Sequence, residues 1–302
     1  MTQVRPEFPS LAEHLERTLT AEERRVVGLI SFNQWTFTMS ALIETALAAR
    51  EIGSQVRIGF WANDTPMEDP GWTTWTPVSR ALRSPAKDSL AQRGLDAAGF
   101  DRSTFVRPPI KYWRAPRLPD LVNPLTRADI RALTYRGSDM GRSILQVHPR
   151  TDTPISDEFH WPRAWVRRAM ESYAWVYDQV SELIRKQGIT AVVVYNGRFT
   201  HDRAVAAAGH AAGIRVLYYD TGGYDTDFDV TEATTHDWAE LQVRMRDMYA
   251  AWPDADRDEI ASSWFENRQS RSDQSMLKFL EGQKIGHIDG VPDAEQLVVF
   301  FS

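Results

Sequence analysis

Cysteine is absent from all 302 residues of the chain. That excludes disulfides, thiolate zinc sites, iron–sulfur clusters and cysteine nucleophiles. No stretch approaches about 18 uncharged apolar residues, so no membrane span is expected. The amino terminus, MTQVRPEFPSLAEHLERTLT, carries charges throughout and lacks the apolar segment of a secretory signal. A cytoplasmic protein is therefore the default expectation, with peripheral contact at the inner face of the membrane left open. The chain also lacks an excess of positive charge. Its net charge is −6, which gives no reason to expect a nucleic-acid partner. HExxH, GxSxG, P-loop and GxGxxG patterns are missing, so metalloprotease, α/β-hydrolase, P-loop NTPase and dinucleotide readings lose their usual support. The acidic alternation Asp225, Asp227, Asp229 has neither the glycine nor the distal glutamate of a calcium loop, and no metal is expected.

What is present is a normal globular composition, 42% hydrophobic and 25% charged. The length fits two domains or one large α/β domain. Tryptophan stands out at 11 residues. Core packing is the ordinary use of such rings, and a sugar-binding cleft is the alternative.

The most informative segment is VVVYNGRFTHDRAVAAAGHAAGIRVLYYDTGG, residues 192–223. Two apolar strand-like runs, Ala191–Tyr195 and Ile214–Tyr219, flank an Ala-rich helical stretch over 200–212. Thr200 is a candidate cap, and Gly213 is the stop. Polar turns follow both runs. That pattern predicts a β-α-β unit with functional groups at the carboxyl ends of its strands, where open α/β sheets bind ligands. A second unit is predicted from Val26–Phe32, a helix carrying Met39, Leu42, Ile43, Ala46 and Leu47, a stop at Gly53, and Gln55–Trp61. Further helices are expected over 8–25, 87–99, 126–147, 161–186, 232–251 and 254–268. Pro-rich stretches over 62–86 and 101–125 read as insertions. The fold class expected is therefore α/β: a Rossmann-like parallel sheet flanked by helices, with helical and Pro-rich insertions. Residues 1–268 form the expected domain, 269–295 a linker, and 296–302 an orphan strand.

The β-α-β unit, the THD at 235–237 and the terminal QLVVFFS together resemble the amino-terminal half of bacterial capsule or surface polysaccharide biosynthesis glycosyltransferases of the GT-B type. The resemblance is best over about 160–302 and only architectural over 1–60. It implies two Rossmann-like domains facing a cleft. The first holds a glycan or lipid-linked glycan acceptor, and the second binds a nucleotide-sugar donor. QLVVFFS would open the second, so the donor site is expected in a missing or partner domain. No cofactor beyond that co-substrate is implied.

The candidate catalytic residues are His201 and Asp220. His201 suits a general base because its ordinary pKa lies near neutrality. Asp202 beside it either orients it or favours the helix start. Asp220 sits where the resemblance implies an acidic residue, as a base or as an acceptor of sugar hydroxyls. Ahead of glycines, it is equally an ordinary turn former. The candidate substrate-binding residues are Asn33, Gln34 and Trp35 after the first strand, Asn196 and Arg198 after the third, and Gly222 and His236. Arg198 could hold phosphate or carboxylate, or pair with a surface acid. Asp237 reads as a helix cap, His210 as structural, and the basic-aromatic stretch 107–117 as a solvated loop. The alternative to a transferase is a non-catalytic carbohydrate or sugar-phosphate binding module working with a separate donor-domain partner.

Overall fold

A computed structural model describes residues 9–32, 36–61, 93–111, 113–114, 116–121, 125–147, 161–221, 228–234, 237–251 and 254–269. The expected insertion over 62–86 and the terminal strand lie outside them. Five strands form one sheet: β1 (Val26–Ser31), β2 (Gln55–Phe60), β3 (Ala191–Tyr195), β4 (Arg215–Thr221) and β5 (Phe228–Thr231). Their order is β2-β1-β3-β4-β5. The first three seams are parallel, with Val27 paired to Val56 on one side and to Ala191 on the other, and Val193 paired to Leu217.

Among the described residues, helices that precede or connect these strands include α1 (Leu11–Thr18), α2 (Thr36–Glu51), α3 (Arg127–Arg131), α4 (Met140–Val147), α5 (Arg163–Gln187) and α6 (Thr200–Ala211). Alternate strand residues face opposite layers. Val192, Val194, Val216 and Tyr218 pack with Tyr173 and Val176 of α5 and Val205 of α6. Val193, Leu217 and Tyr219 pack with Leu15 of α1 and Leu42 and Ala46 of α2. Covering both faces is why β3 is buried along its whole length and reads as an uninterrupted apolar run. Each buried Val or Leu contributes roughly 1.5–3 kcal/mol over its exposed state.

Several tryptophans serve this core. Trp61 is fully buried and donates from Nε1 to the Val106 carbonyl at 2.9 Å, and Trp161 and Trp175 are buried as well. Gly188 ends α5 at φ 61°, a left-handed conformation that favours glycine, and its N–H bonds the Ile184 carbonyl.

The structure departs from the sequence expectations in three places. The sheet is mixed, because β5 runs antiparallel to β4 and Tyr218 pairs with Thr231. No strand was expected between β4 and the helix over 232–251. Instead, Phe228 and Val230 alternate with polar residues, and Val230 is buried against the sheet. β5 thereby covers the edge of β4 that would otherwise stand open. The helix α7 (Trp238–Ala251) starts only after Asp237, whose Oδ1 accepts from the Glu240 N–H at 3.3 Å, as the cap reading of Asp237 anticipated. The first helix is much shorter than 8–25. Leu19 turns extended, and Thr20 and Glu23 close a separate turn by exchanging side-chain and backbone hydrogen bonds.

The chain divides into two compact units, Met1–Met248 and Tyr249–Ser302. Within the second, α8 (Asp254–Gln269) places the Arg257 guanidinium 4.4 Å from the centre of the Tyr249 ring. Residues 270–302 are outside the described set. No helix among the described residues is long and apolar enough to cross a membrane.

Candidate functional site

The strand order fixes where to look. From β1 the chain turns to β2 on one side, and from β3 it turns to β4 on the other. The two connections part above the β1–β3 seam, and the carboxyl ends of the strands at such a switch point are where open α/β sheets bind ligands. Phe32 leaves β1 there, and Asn196 to Asp202 lead from β3 into α6.

Two consecutive residues of that turn are left-handed, Asn196 at φ 50° and Gly197 at φ 71°. Asparagine tolerates this region better than most residues because its short polar side chain bonds locally. Here the Asn196 amide donates to Asp220 Oδ2, and its backbone N–H donates to the Tyr219 carbonyl at 2.8 Å. Gly197 has no such freedom to change. A Cβ on it would overlap the Tyr218 ring and lie 2.9 Å from Thr234 Cγ2.

Helix α6 then starts without a side-chain cap. Its cap position is Phe199, and Thr200, the expected cap, is already its first helical residue. Three side-chain atoms in this turn are buried without a hydrogen-bond partner: Asn196 Oδ1, Arg198 Nε and Thr200 Oγ1. Asn196 is 5% exposed and Thr200 1%. Leaving such a group unpaired costs roughly 1–3 kcal/mol. Three such atoms fall within five residues beside an uncapped helix start, so the turn after β3 is a concentration of unsatisfied polar groups.

His201 and Asp202 follow in the first turn of α6, both buried. His201 Nε2 is 2.8 Å from Ser172 Oγ of α5, and its ring centre is 4.9 Å from that of Phe32. Tyr195 and Tyr219 sit side by side in register on β3 and β4. Burial pushes both phenols well above their ordinary value. Asp220 and Asp202 add to the shift at Tyr195, while at Tyr219 the Ser31 hydroxyl opposes it. Both therefore remain neutral hydroxyls at physiological pH. The Arg198 guanidinium rests 4.8 Å from the centre of the Phe199 ring.

The structure thus brings His201, Asp220, Asn196 and Arg198 to one end of the sheet. Asn33, Gln34, Trp35, Gly222 and His236 lie outside the described residues. Sequence reasoning missed Tyr195, Tyr219, Ser172 and Phe32. The paired tyrosines were visible as polar-tipped aromatics at two strand ends, but nothing local in the sequence pointed to Ser172. The 107–117 stretch is anchored on its inner side. Gln179 of α5 bonds both the N–H and the carbonyl of Ile110, and Trp113 Nε1 donates to Asp178 at 3.0 Å. Among the described residues no group of three side chains is placed to hold a metal ion.

No known protein family, curated protein or solved structure matches this chain. Asp220 is half-buried and Asn196 holds its Oδ2, while the neighbouring unpartnered atoms include acceptors and a cationic donor. Such a mixture recognises hydroxyl-bearing ligands, whose groups both donate and accept.

Proposed function

We propose that the chain is the acceptor-side domain of a glycosyltransferase of surface polysaccharide synthesis. In this reading the carboxyl ends of β1 and β3 hold a sugar of the glycan acceptor. Asn196 Oδ1 and Thr200 Oγ1 bond its hydroxyls, and Asp220 takes the proton of the reacting one. The acceptor oxygen forms its bond to the anomeric carbon of the donor sugar, and the bond from that carbon to the donor phosphate oxygen breaks. The nucleotide leaves with the phosphate. The nucleotide-sugar donor is bound by a further domain or partner, and the reaction takes place in the cytoplasm. Through Ser172 and Phe32, His201 holds the start of α6 in place and acts as a positioning residue.

The observation that carries the reading is the trio of buried, unpartnered polar atoms at 196–200 beside Asp220. Saturation-transfer NMR on the full chain with a panel of neutral oligosaccharides tests it. The expected result is transfer to at least one sugar, lost in Thr200→Val and Asp220→Asn while the fold is retained. Sugar binding that survives both substitutions overturns the site. Absence of binding across a panel of surface-glycan fragments overturns the function. Binding without turnover, once a donor domain is supplied, selects the non-catalytic module instead.

A further inference from the structure

On the α5–α6 face of the sheet lies a cleft of about 470 Å³ that the sugar reading does not use. Its walls come from the turn at 136–139, from α5, from α6, from Tyr218 of β4 and from Thr234, and at one end it reaches Gly197 of the turn before α6. Its size suits a small metabolite rather than a water cluster. We propose that it is a second binding site, for a small phosphate monoester, with Arg203 as the residue that receives the phosphate.

Arg203 is the group whose situation calls for an anion. Its side chain is only 20% exposed, and the closest acid it pairs with, Asp139, stands 3.9 Å away and is itself half exposed. Its Nε is buried with no partner. Burial and the nearby Arg142 both disfavour its charge, and Asp139 only partly offsets them. Arginine nevertheless remains protonated in proteins, so a buried guanidinium with an idle N–H is an incomplete ion pair. Arg136, at the rim, is already engaged by Asp178 at 3.1 Å.

Hydroxyls of Ser138, Tyr173 and Tyr218 share the cleft with Arg203. Tyr173 donates to Ser138 Oγ at 3.0 Å and Ser138 Oγ donates to the Tyr135 carbonyl, so a phosphate would draw both hydroxyls out of these bonds. Burial holds the Tyr173 phenol up at about 12 against the opposing pull of Ser138 and Arg203. Tyr218 and His210 meet at 3.3 Å. Burial pulls His210 below its ordinary value, leaving it neutral near pH 7 and able either to give or to accept a hydrogen bond. Phosphate takes a bidentate contact from a guanidinium and further bonds from hydroxyls arranged around it, whereas a planar carboxylate uses fewer directions. The rest of the wall is apolar. Tyr177 and the small residues Ala206, Ala207 and Ala211 leave room for the body of the ligand. This proposal does not rest on the sugar reading and stands or falls separately from it.

Calorimetric titration of the full chain tests it, with glucose 1-phosphate, inorganic phosphate, glucose and citrate as probes. Glucose 1-phosphate should bind at least tenfold more tightly than glucose and than citrate. Arg203→Gln should weaken it at least tenfold. Ala211→Trp, at an exposed position on the cleft wall, should do the same with Arg203 intact, and decides the matter if Arg203→Gln does not fold. Asp220→Asn should change the affinity less than twofold. The proposal is overturned by no phosphate-dependent binding, by binding that survives Ala211→Trp, or by a loss in Asp220→Asn equal to that in Arg203→Gln. The last would place the phosphate at the strand ends. Citrate binding as tightly as glucose 1-phosphate would make the site one for carboxylates and likewise overturn it.

Discussion

At the start of α1, Ser10 accepts from the Glu13 N–H and Glu13 accepts from the Ser10 N–H, a closed exchange at the surface. At the start of α3, Thr126 and Asp129 repeat it. At the start of α6 no side chain caps the helix, and the polar atoms around it are buried and unpartnered. All three helices face the same difficulty, a first turn of N–H groups with no partner inside the helix. The first two resolve it locally and gain about 1 kcal/mol each by doing so. The third leaves it unresolved in the interior, next to a left-handed Asn-Gly turn that adds its own strain. Helix α5 also starts without a side-chain cap, after Pro162. What sets α6 apart is the buried, unpartnered polar atoms beside its start, which make it a place to examine for binding.

The comparison can be broken most sharply at the turn itself. Gly197→Ala puts a methyl group into the Tyr218 ring at φ 71° and should cost about 3 kcal/mol. Gly137→Ala, equally left-handed but with open space around it, should cost about 1 kcal/mol. Urea unfolding of the pair separates crowding from backbone strain, and equal losses would refute the crowding. Ser10→Ala should lower stability by about 1 kcal/mol in the same assay.

Thr200→Val removes a buried hydroxyl that has no partner, so stability should hold or rise by up to about 1 kcal/mol while sugar binding is lost. A clear loss of stability would mean that the hydroxyl is engaged in the fold, and the contrast between the helix starts would fail. The smallest effect concerns acid. The Ser10 N–H, and then its hydroxyl, hold the Glu13 carboxyl below its ordinary 4.5 in the folded chain. As pH falls through that value, the unfolded chain takes up the proton first. The cap's contribution is therefore complete above pH 4.5 and fades below it. Thermal unfolding measured from about pH 5 to about pH 3 should fall less steeply in Glu13→Gln than in the native chain.

β1 and β3 were legible because a strand covered on both faces is a nearly continuous apolar run, while β2, at the sheet edge, showed as Val56, Ile58 and Phe60 alternating with other residues. The Gly53 and Gly213 stops were legible because a left-handed exit favours that residue. β5 was not, since four residues make no local pattern and only pairing with β4 makes Phe228–Thr231 a strand. At the strand ends, Asn196, Arg198 and Asp220 announced themselves by following apolar runs. Ser172 could not, because it meets His201 only where α5 crosses α6. The cleft was hidden for the same reason. Tyr173 and Tyr177 look like core in the stripe of α5, and Arg203 and His210 look incidental in an Ala-rich helix. The packing of two helices and the turn at 136–139 turns them into one wall.

The seam between β1 and β3 has a consequence for how the chain is made. Val26 donates its backbone N–H to the side chain of Thr190, 164 residues further along the chain. At about 5–20 residues per second of synthesis, β1 waits on the order of ten seconds or more for its central partner to be made. Throughout that wait one edge of β1 is open and apolar, the condition in which strands join the wrong neighbour. The residues from α5 to β4, by contrast, find their partners within a short span and are expected to form early. The β1–β3 seam thus closes long after its first strand is made, and the nascent amino-terminal segment is where a chaperone would have the most to protect.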